Sequence, residues 1–134
     1  MRIGLVGLGK MGANMRERIR RTGIEVVGYD RNPAVSDVPS LEALVRSMPT
    51  GERFVWVMVP SGPTTDAVIH QLADQLEAGD VVVDGGNSYY QDDLPHANLL
   101  AARGVSFIDA GVSGGVWGLT AGYGLMVGGD PWSV

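Results

Sequence analysis

The sequence has no cysteine, which excludes disulfides, thiolate nucleophiles and zinc–cysteine sites together. His70 and His96 are its only histidines, too few for a histidine-built metal cluster, and no metal site is expected. Lysine occurs once, at Lys10. Positive charge as a whole is short: 10 basic residues face 15 acidic ones, for a net charge of -5. A general nucleic-acid binder carries a basic stripe, and this balance argues against one. Phosphate recognition remains open if backbone amides or one or two local cations carry it. No apolar run approaches the ~18 residues that a membrane span needs. The opening Met1-Arg2-Ile3-Gly4-Leu5-Val6 is broken at once by glycine and soon followed by charge, so it reads as a first β-strand rather than a signal peptide. A reducing cytoplasm is the expected compartment.

What the chain does have is apolar residues, 45% of its 134, with only 19% charged, which is enough for one folded domain and argues against disorder. It is also rich in glycine, with 20 residues, about twice the usual ~7%. Eight of them fall between positions 111 and 129, a mark of tight loops where backbone must come close to something.

Short β-branched runs alternate with helical stretches, which predicts an α/β domain with a doubly wound parallel sheet. The candidate strands are 2–6, 25–29, 53–59, 80–84, 105–109 and 124–127. Phe54–Val59 and Val81–Val83 are continuously apolar, as strands buried on both faces are. Helices are expected over 10–21, 40–48, 64–77 and about 92–103. In the first, Met11, Met15 and Ile19 share one face, with arginines opposite and near its C-terminal end. The 23 residues from Asp30 to Glu52 contain one clear helix, and a short edge strand near Val35–Val38 is expected to fill the third sheet position. The alternative is that the Phe54 strand is itself the third.

The strongest local signal is Gly7-Leu8-Gly9-Lys10-Met11-Gly12, which follows a strand and opens a helix. In a dinucleotide fingerprint Gly7 permits the tight turn, Gly9 lets a pyrophosphate reach the backbone, and Gly12 lets helix pack on strand. Asp30 ends the second strand about 20 residues on, where an acid accepts the ribose hydroxyls. The competing explanation is a glycine-rich turn that binds nothing.

Doubly wound sheets bind ligands at the carboxyl ends of their strands. Loops 7–12, 59–62, 85–88 and 110–115 occupy such ends. Asn87 offers a donor and an acceptor, and Ser113-Gly114-Gly115 a hydroxyl with two unobstructed amides. Equally, Asn87 could serve a left-handed turn and Ser113 a helix N-cap.

Three segments carry a resemblance: 7–15 (Gly-Leu-Gly-Lys-Met-Gly-Ala-Asn-Met), Asp84-Gly85-Gly86-Asn87-Ser88, and 109–118 (Asp-Ala-Gly-Val-Ser-Gly-Gly-Val-Trp-Gly). Together they resemble the 6-phosphogluconate dehydrogenase family in its shorter bacterial form, over nearly the whole chain through Asp130. The related 3-hydroxyisobutyrate-type dehydrogenases share the glycine fingerprint and a V-S-G-G-x-x-G segment like Val112–Gly118, but typically have D-x-S-T where this chain has Asp84–Ser88, which makes that motif the specific one.

The resemblance implies a Rossmann fold over 1–134, followed in the family by an all-helical domain absent from these residues, which makes the dimer. It implies NAD or NADP as cofactor, with Gly7, Leu8, Gly9, Lys10, Met11 and Gly12 on the pyrophosphate and adenosine side. Asp30, Arg31 and Asn32 would meet the adenosine ribose, and Val59, Pro60 and Ser61 the nicotinamide ribose. Asn87 would touch both the nicotinamide side and the substrate, and is the one catalytic candidate here. Ser113, Gly114 and Gly115 would hold the substrate. The implied reaction is oxidative decarboxylation of 6-phosphogluconate to ribulose 5-phosphate. The family's lysine base and glutamate acid lie downstream of these residues, so this chain is expected to bind cofactor without turnover. NADP-using relatives typically end the second strand in Asn-Arg, whereas Asp30-Arg31 here favours NAD. The rival readings are the cofactor domain of a 3-hydroxyacid dehydrogenase, a non-catalytic NAD(P) sensor, and a glycine-loop methyltransferase.

Overall fold

The computed structural model describes residues 2–86, 93–113 and 118–129. Strands and helices alternate along them: β1 (Arg2–Val6), α1 (Lys10–Arg20), β2 (Glu25–Tyr29), α2 (Leu41–Arg46), β3 (Phe54–Val57), α3 (Pro63–Gln75), β4 (Val81–Asp84), α4 (Asp93–Ala101), β5 (Ser106–Ser113), α5 (Gly118–Ala121) and β6 (Gly124–Gly129). All six strands join one sheet in the order β2-β1-β3-β4-β5-β6. β1 to β5 are parallel, and β6 returns antiparallel to β5. This is the doubly wound α/β sheet of the Rossmann type, with its last strand reversed.

Alternation along each strand sends side chains to two faces. On one, Val6, Val55, Val57 and Val82 meet Leu44, Ile69, Leu72 and Leu100 from α2, α3 and α4. On the other, Ile3, Leu5 and Val26 pack with Leu8 and Ile19. Each fully buried leucine or valine contributes about 1.5–3 kcal/mol, so these faces fix the register of the strands. Asp80, fully buried, accepts from the backbone N–H groups of Arg53 and Glu77 at 2.9 and 2.8 Å and pairs with the Arg53 guanidinium. A buried charge with three donors is compensated, and here it fastens the chain where β3 and β4 begin.

Two expectations are corrected. Val35–Val38 forms no strand, and β3 takes the third position, against β1. The physical reason is Asp37. Its N–H donates to Gly28 O at 2.9 Å, and its carboxylate accepts the Gly28 N–H at 2.8 Å. That closes the outer edge of β2 to further pairing. Burial raises the Asp37 pKa, but the Gly28 N–H with Arg16 and Arg20 outweighs burial and holds it below the ordinary carboxylate value. The other correction concerns 110–113, expected as loop, which continue β5 because they pair with β6 from Ala110↔Val127 to Ser113↔Gly124.

Candidate functional site

The loop from Gly7 to Gly12 is shaped by backbone contacts that exclude side chains at two positions and leave a third open. Gly7 has φ +95°, and a Cβ there would lie 2.6 Å from Met58 O. A Cβ on Gly12 would lie 1.9 Å from Gly7 O, so α1 packs directly on the loop. A Cβ on Gly9 would meet nothing within 4 Å. Gly9 is also the N-cap of α1, with no capping side chain and no acid in the first turn. The free N–H groups there carry partial positive charge and face open space, the arrangement that takes a phosphate.

Asp30, just past β2, sits across this loop. Its Oδ2 accepts the Leu8 N–H at 2.7 Å and its Oδ1 the Asn32 N–H at 2.8 Å. Each oxygen keeps a second acceptor site. Arg31, exposed, lies beside it.

A cavity of about 1450 Å³ runs over the carboxyl ends of the strands, from Asp30 and Arg31 past Gly9 to Ser113 and Met126. That exceeds the roughly 300–1,000 Å³ of ordinary small-ligand sites. Four inter-strand steps of about 4.8 Å separate β2 from β5, so a ligand seated on both ends spans about 19 Å. The cavity brings together Gly7, Gly9, Lys10, Met11, Gly12, Asp30, Arg31, Val59, Pro60, Ser61 and Ser113. Leu8 and Asn32 lie off its wall. The Leu8 side chain is buried with Ile3, Leu5 and Val26, and Asn32 Oδ1 accepts the Ala34 N–H. Asn87, Gly114 and Gly115 lie outside the described residues.

Several wall residues were not anticipated. Thr64, Ala67, Val68 and Gln71 come from the first turns of α3, and Leu125 and Met126 from β6. The signal for α3 was available: Gly62 with φ +86° and Pro63 start this helix beside the expected Val59–Ser61 loop. Thr65 Oγ1 donates to Pro60 O at 2.8 Å and holds that loop to the helix.

The Gly85-Gly86 pair is imposed by packing. A Cβ on Gly85 would lie 2.2 Å from Trp56 Nε1, and one on Gly86 would lie 2.8 Å from Val59 O. Beneath this turn Asp84, Asp109 and Asp93 bring carboxylate oxygens within 4.8 Å of one another, Asp84 and Asp109 as register partners. Burial, then the negative charges of Asp109 and Asp84, push the Asp93 carboxyl up to about 6. His96, buried one turn along α4, donates its Nε2–H to Asp66 Oδ1, 3.1 Å away. Neither histidine lines the cavity.

A glycine turn with one open position, an unblocked helix N-terminus, an acid at the end of β2 and a long cavity at the sheet's carboxyl edge define a dinucleotide-binding domain. The chain belongs to the family described as the NAD binding domain of 6-phosphogluconate dehydrogenase, whose model matches residues 2–134. It is an NAD- or NADP-binding domain. It is 37% identical to the NAD⁺-dependent, decarboxylating 6-phosphogluconate dehydrogenase of Haloferax volcanii over 142 residues, covering 99% of this chain and 46% of that protein. Among solved structures, it resembles Plasmodium falciparum 6-phosphogluconate dehydrogenase, determined apo, with its cofactor NADP⁺ and with its substrate 6-phosphogluconate. The TM-score is 0.88 at 28% identity, over 99% of this chain and 32% of that one. Mycobacterium tuberculosis 3-hydroxyisobutyrate dehydrogenase, with L-serine, is comparably similar: TM-score 0.87, 27% identity, over 98% of this chain and 47% of that one. The chain therefore spans less than half the length of these relatives. Among the described residues no helix is long and apolar enough to cross a membrane.

Proposed function

We propose that this chain is the cofactor-holding part of a cytoplasmic, NAD(P)-dependent dehydrogenase that oxidatively decarboxylates 6-phosphogluconate to ribulose 5-phosphate, working at full length as a homo-oligomer. The observation that carries the cofactor half of this reading is the contrast at the glycine loop. Gly7 and Gly12 are locked in backbone contact while Gly9 stays open above the α1 amides. The substrate half is supported by Asp84-Gly85-Gly86-Asn87-Ser88, by segment 109–118, and by relatives that bear the name of this enzyme.

In this reading the α1 N-terminus and Lys10 hold the pyrophosphate, Asp30 accepts from the adenosine ribose, and Ser61 faces the nicotinamide ribose. Asn87, Ser113, Gly114 and Gly115 orient the substrate. The bound dinucleotide accepts a hydride from C3 of the sugar acid, and the β-keto acid that results loses carbon dioxide. Such chemistry needs a base for the hydroxyl and an acid for the enediol, each worth about 10²–10⁴-fold. The single lysine, Lys10, is committed at the phosphates, and both histidines lie off the cavity. These 134 residues therefore bind dinucleotide without turning over 6-phosphogluconate.

The test is a steady-state assay that follows reduced nicotinamide absorbance with 6-phosphogluconate present. No turnover is expected. Turnover that scales with protein concentration and disappears in Asn87→Ala would contradict this division of labour. The fold similarity to 3-hydroxyisobutyrate dehydrogenase supports a second reading, a 3-hydroxyacid substrate. Asn87 in its Gly-Gly setting, where that group typically has D-x-S-T, weighs against it.

A further inference from the structure

α5 is only four residues long and cannot hold its own shape, and the carbonyls at its C-terminal end need partners. One residue from the opposite end of the chain supplies them. Arg18 Nη1 donates to Leu119 O at 3.0 Å and reaches Thr120 O at 3.4 Å. No carboxylate among the described residues pairs with this guanidinium. It lies against the turn that follows: a Cβ on Gly122, where φ is +93°, would be 3.2 Å from Arg18 Nη2. The Gly122 N–H returns to Gly118 O at 2.9 Å. Two residues later Gly124 opens β6 opposite Ser113, and Ser113 Oγ donates to Gly124 O at 3.4 Å. β6 is a sheet edge, held on one side by β5 alone, so its start depends on the turn that Arg18 braces.

We infer that Arg18 is a positioning residue for the far end of the cofactor cavity. α1 carries the phosphate-binding amides at its N-terminus and, eight residues or about 12 Å further along, the guanidinium that sets the Ser113–Gly124 wall. The helix is thus a rigid spacer between the pyrophosphate seat and the nicotinamide end. This rests on the dinucleotide reading above, with adenosine at Asp30. Arg18 touches no ligand and acts only through α5 and β6.

The experiment compares two ligands by calorimetric titration. ADP-ribose occupies the adenosine and pyrophosphate seats, and NADH adds the nicotinamide. Arg18→Met keeps the aliphatic stem and removes the donors. It is expected to leave the ADP-ribose Kd within about twofold of the unsubstituted chain and to weaken NADH about tenfold, the scale of a lost charged hydrogen bond. Arg18→Lys, which restores one charged donor, should recover part of the NADH affinity. Unchanged NADH binding in Arg18→Met, or equal losses of both ligands, would overturn the inference. Failure of the unsubstituted chain to bind ADP-ribose would instead sink the dinucleotide reading itself.

Discussion

The backbone N–H of Leu8 donates to the carboxylate of Asp30 at 2.7 Å, tying the glycine loop after β1 to the end of β2. The Asn32 N–H takes the other oxygen at 2.8 Å. In the proposed cofactor seat, a group so fixed would present its remaining acceptor sites, and its negative charge, to a ribose in one orientation.

Cofactor choice follows from that charge. A carboxylate accepts hydroxyl hydrogen bonds from NAD and repels the 2′-phosphate of NADP, by an amount on the order of 1–2 kcal/mol at a solvated surface. Arg31 pulls the other way, since a guanidinium suits a phosphate. A modest preference for NAD is expected. Asp30→Asn should move the ratio of the two dissociation constants roughly tenfold toward NADP. The amide supplies one acceptor oxygen instead of two, so one loop hydrogen bond is lost and stability drops about 1 kcal/mol. Tighter binding of NADP by the unsubstituted chain would contradict the argument.

Gly9 and Gly12 should differ in how much stability the same added methyl group costs. Gly12→Ala places a carbon 1.9 Å from Gly7 O, and α1 must shift off the loop. A loss of about 1–3 kcal/mol or more in urea unfolding is expected, with dinucleotide binding lost as well. Gly9→Ala meets nothing within 4 Å and has an ordinary φ of -64°. Its cost to stability should stay at or below about 1 kcal/mol, the N-cap preference, while cofactor affinity falls tenfold or more. Equal stabilities for the two variants would show that the loop is not packed as described.

The acid cluster below Gly85 predicts a pH effect of definite sign. Asp93 titrates at about 6 in the folded chain against 3.8 unfolded. Between these values the folded chain holds a proton that the unfolded chain has released, so folding takes one up. The stabilisation from this site is complete below 3.8 and is lost as pH rises through about 6. Asp93→Asn does not titrate and keeps a donor toward Asp109. Its stability relative to the unsubstituted chain should rise from about pH 4 to about pH 6 and level off above that. Parallel urea-unfolding curves at every pH would refute the assignment.

What was legible in the sequence was local. The strand–glycine–helix pattern at 2–21 contains its own explanation, because Gly12 packs on the loop itself, Gly7 packs on Met58 just past β3, and Gly9 is left open. The continuous apolar runs at 54–59 and 81–83 likewise announced buried parallel strands. What was missed depends on distant partners. Asp37 closes the edge of β2 by bonding Gly28, which no periodicity at Val35–Val38 could reveal. β5 runs on to Ser113 only because β6 turns back against it. The Arg18–Leu119 contact joins residues 101 positions apart, and in the sequence the arginines of α1 read only as its polar face and as a complement to the helix dipole.

The most direct test of the account is a calorimetric titration of this chain with NAD, NADP and S-adenosylmethionine in parallel, repeated on Gly9→Ala. Both dinucleotides are expected to bind saturably at one site per chain, tenfold or more weakly after the substitution, and S-adenosylmethionine is expected not to bind. Binding of S-adenosylmethionine alone, or dinucleotide affinity indifferent to a side chain at Gly9, would contradict it.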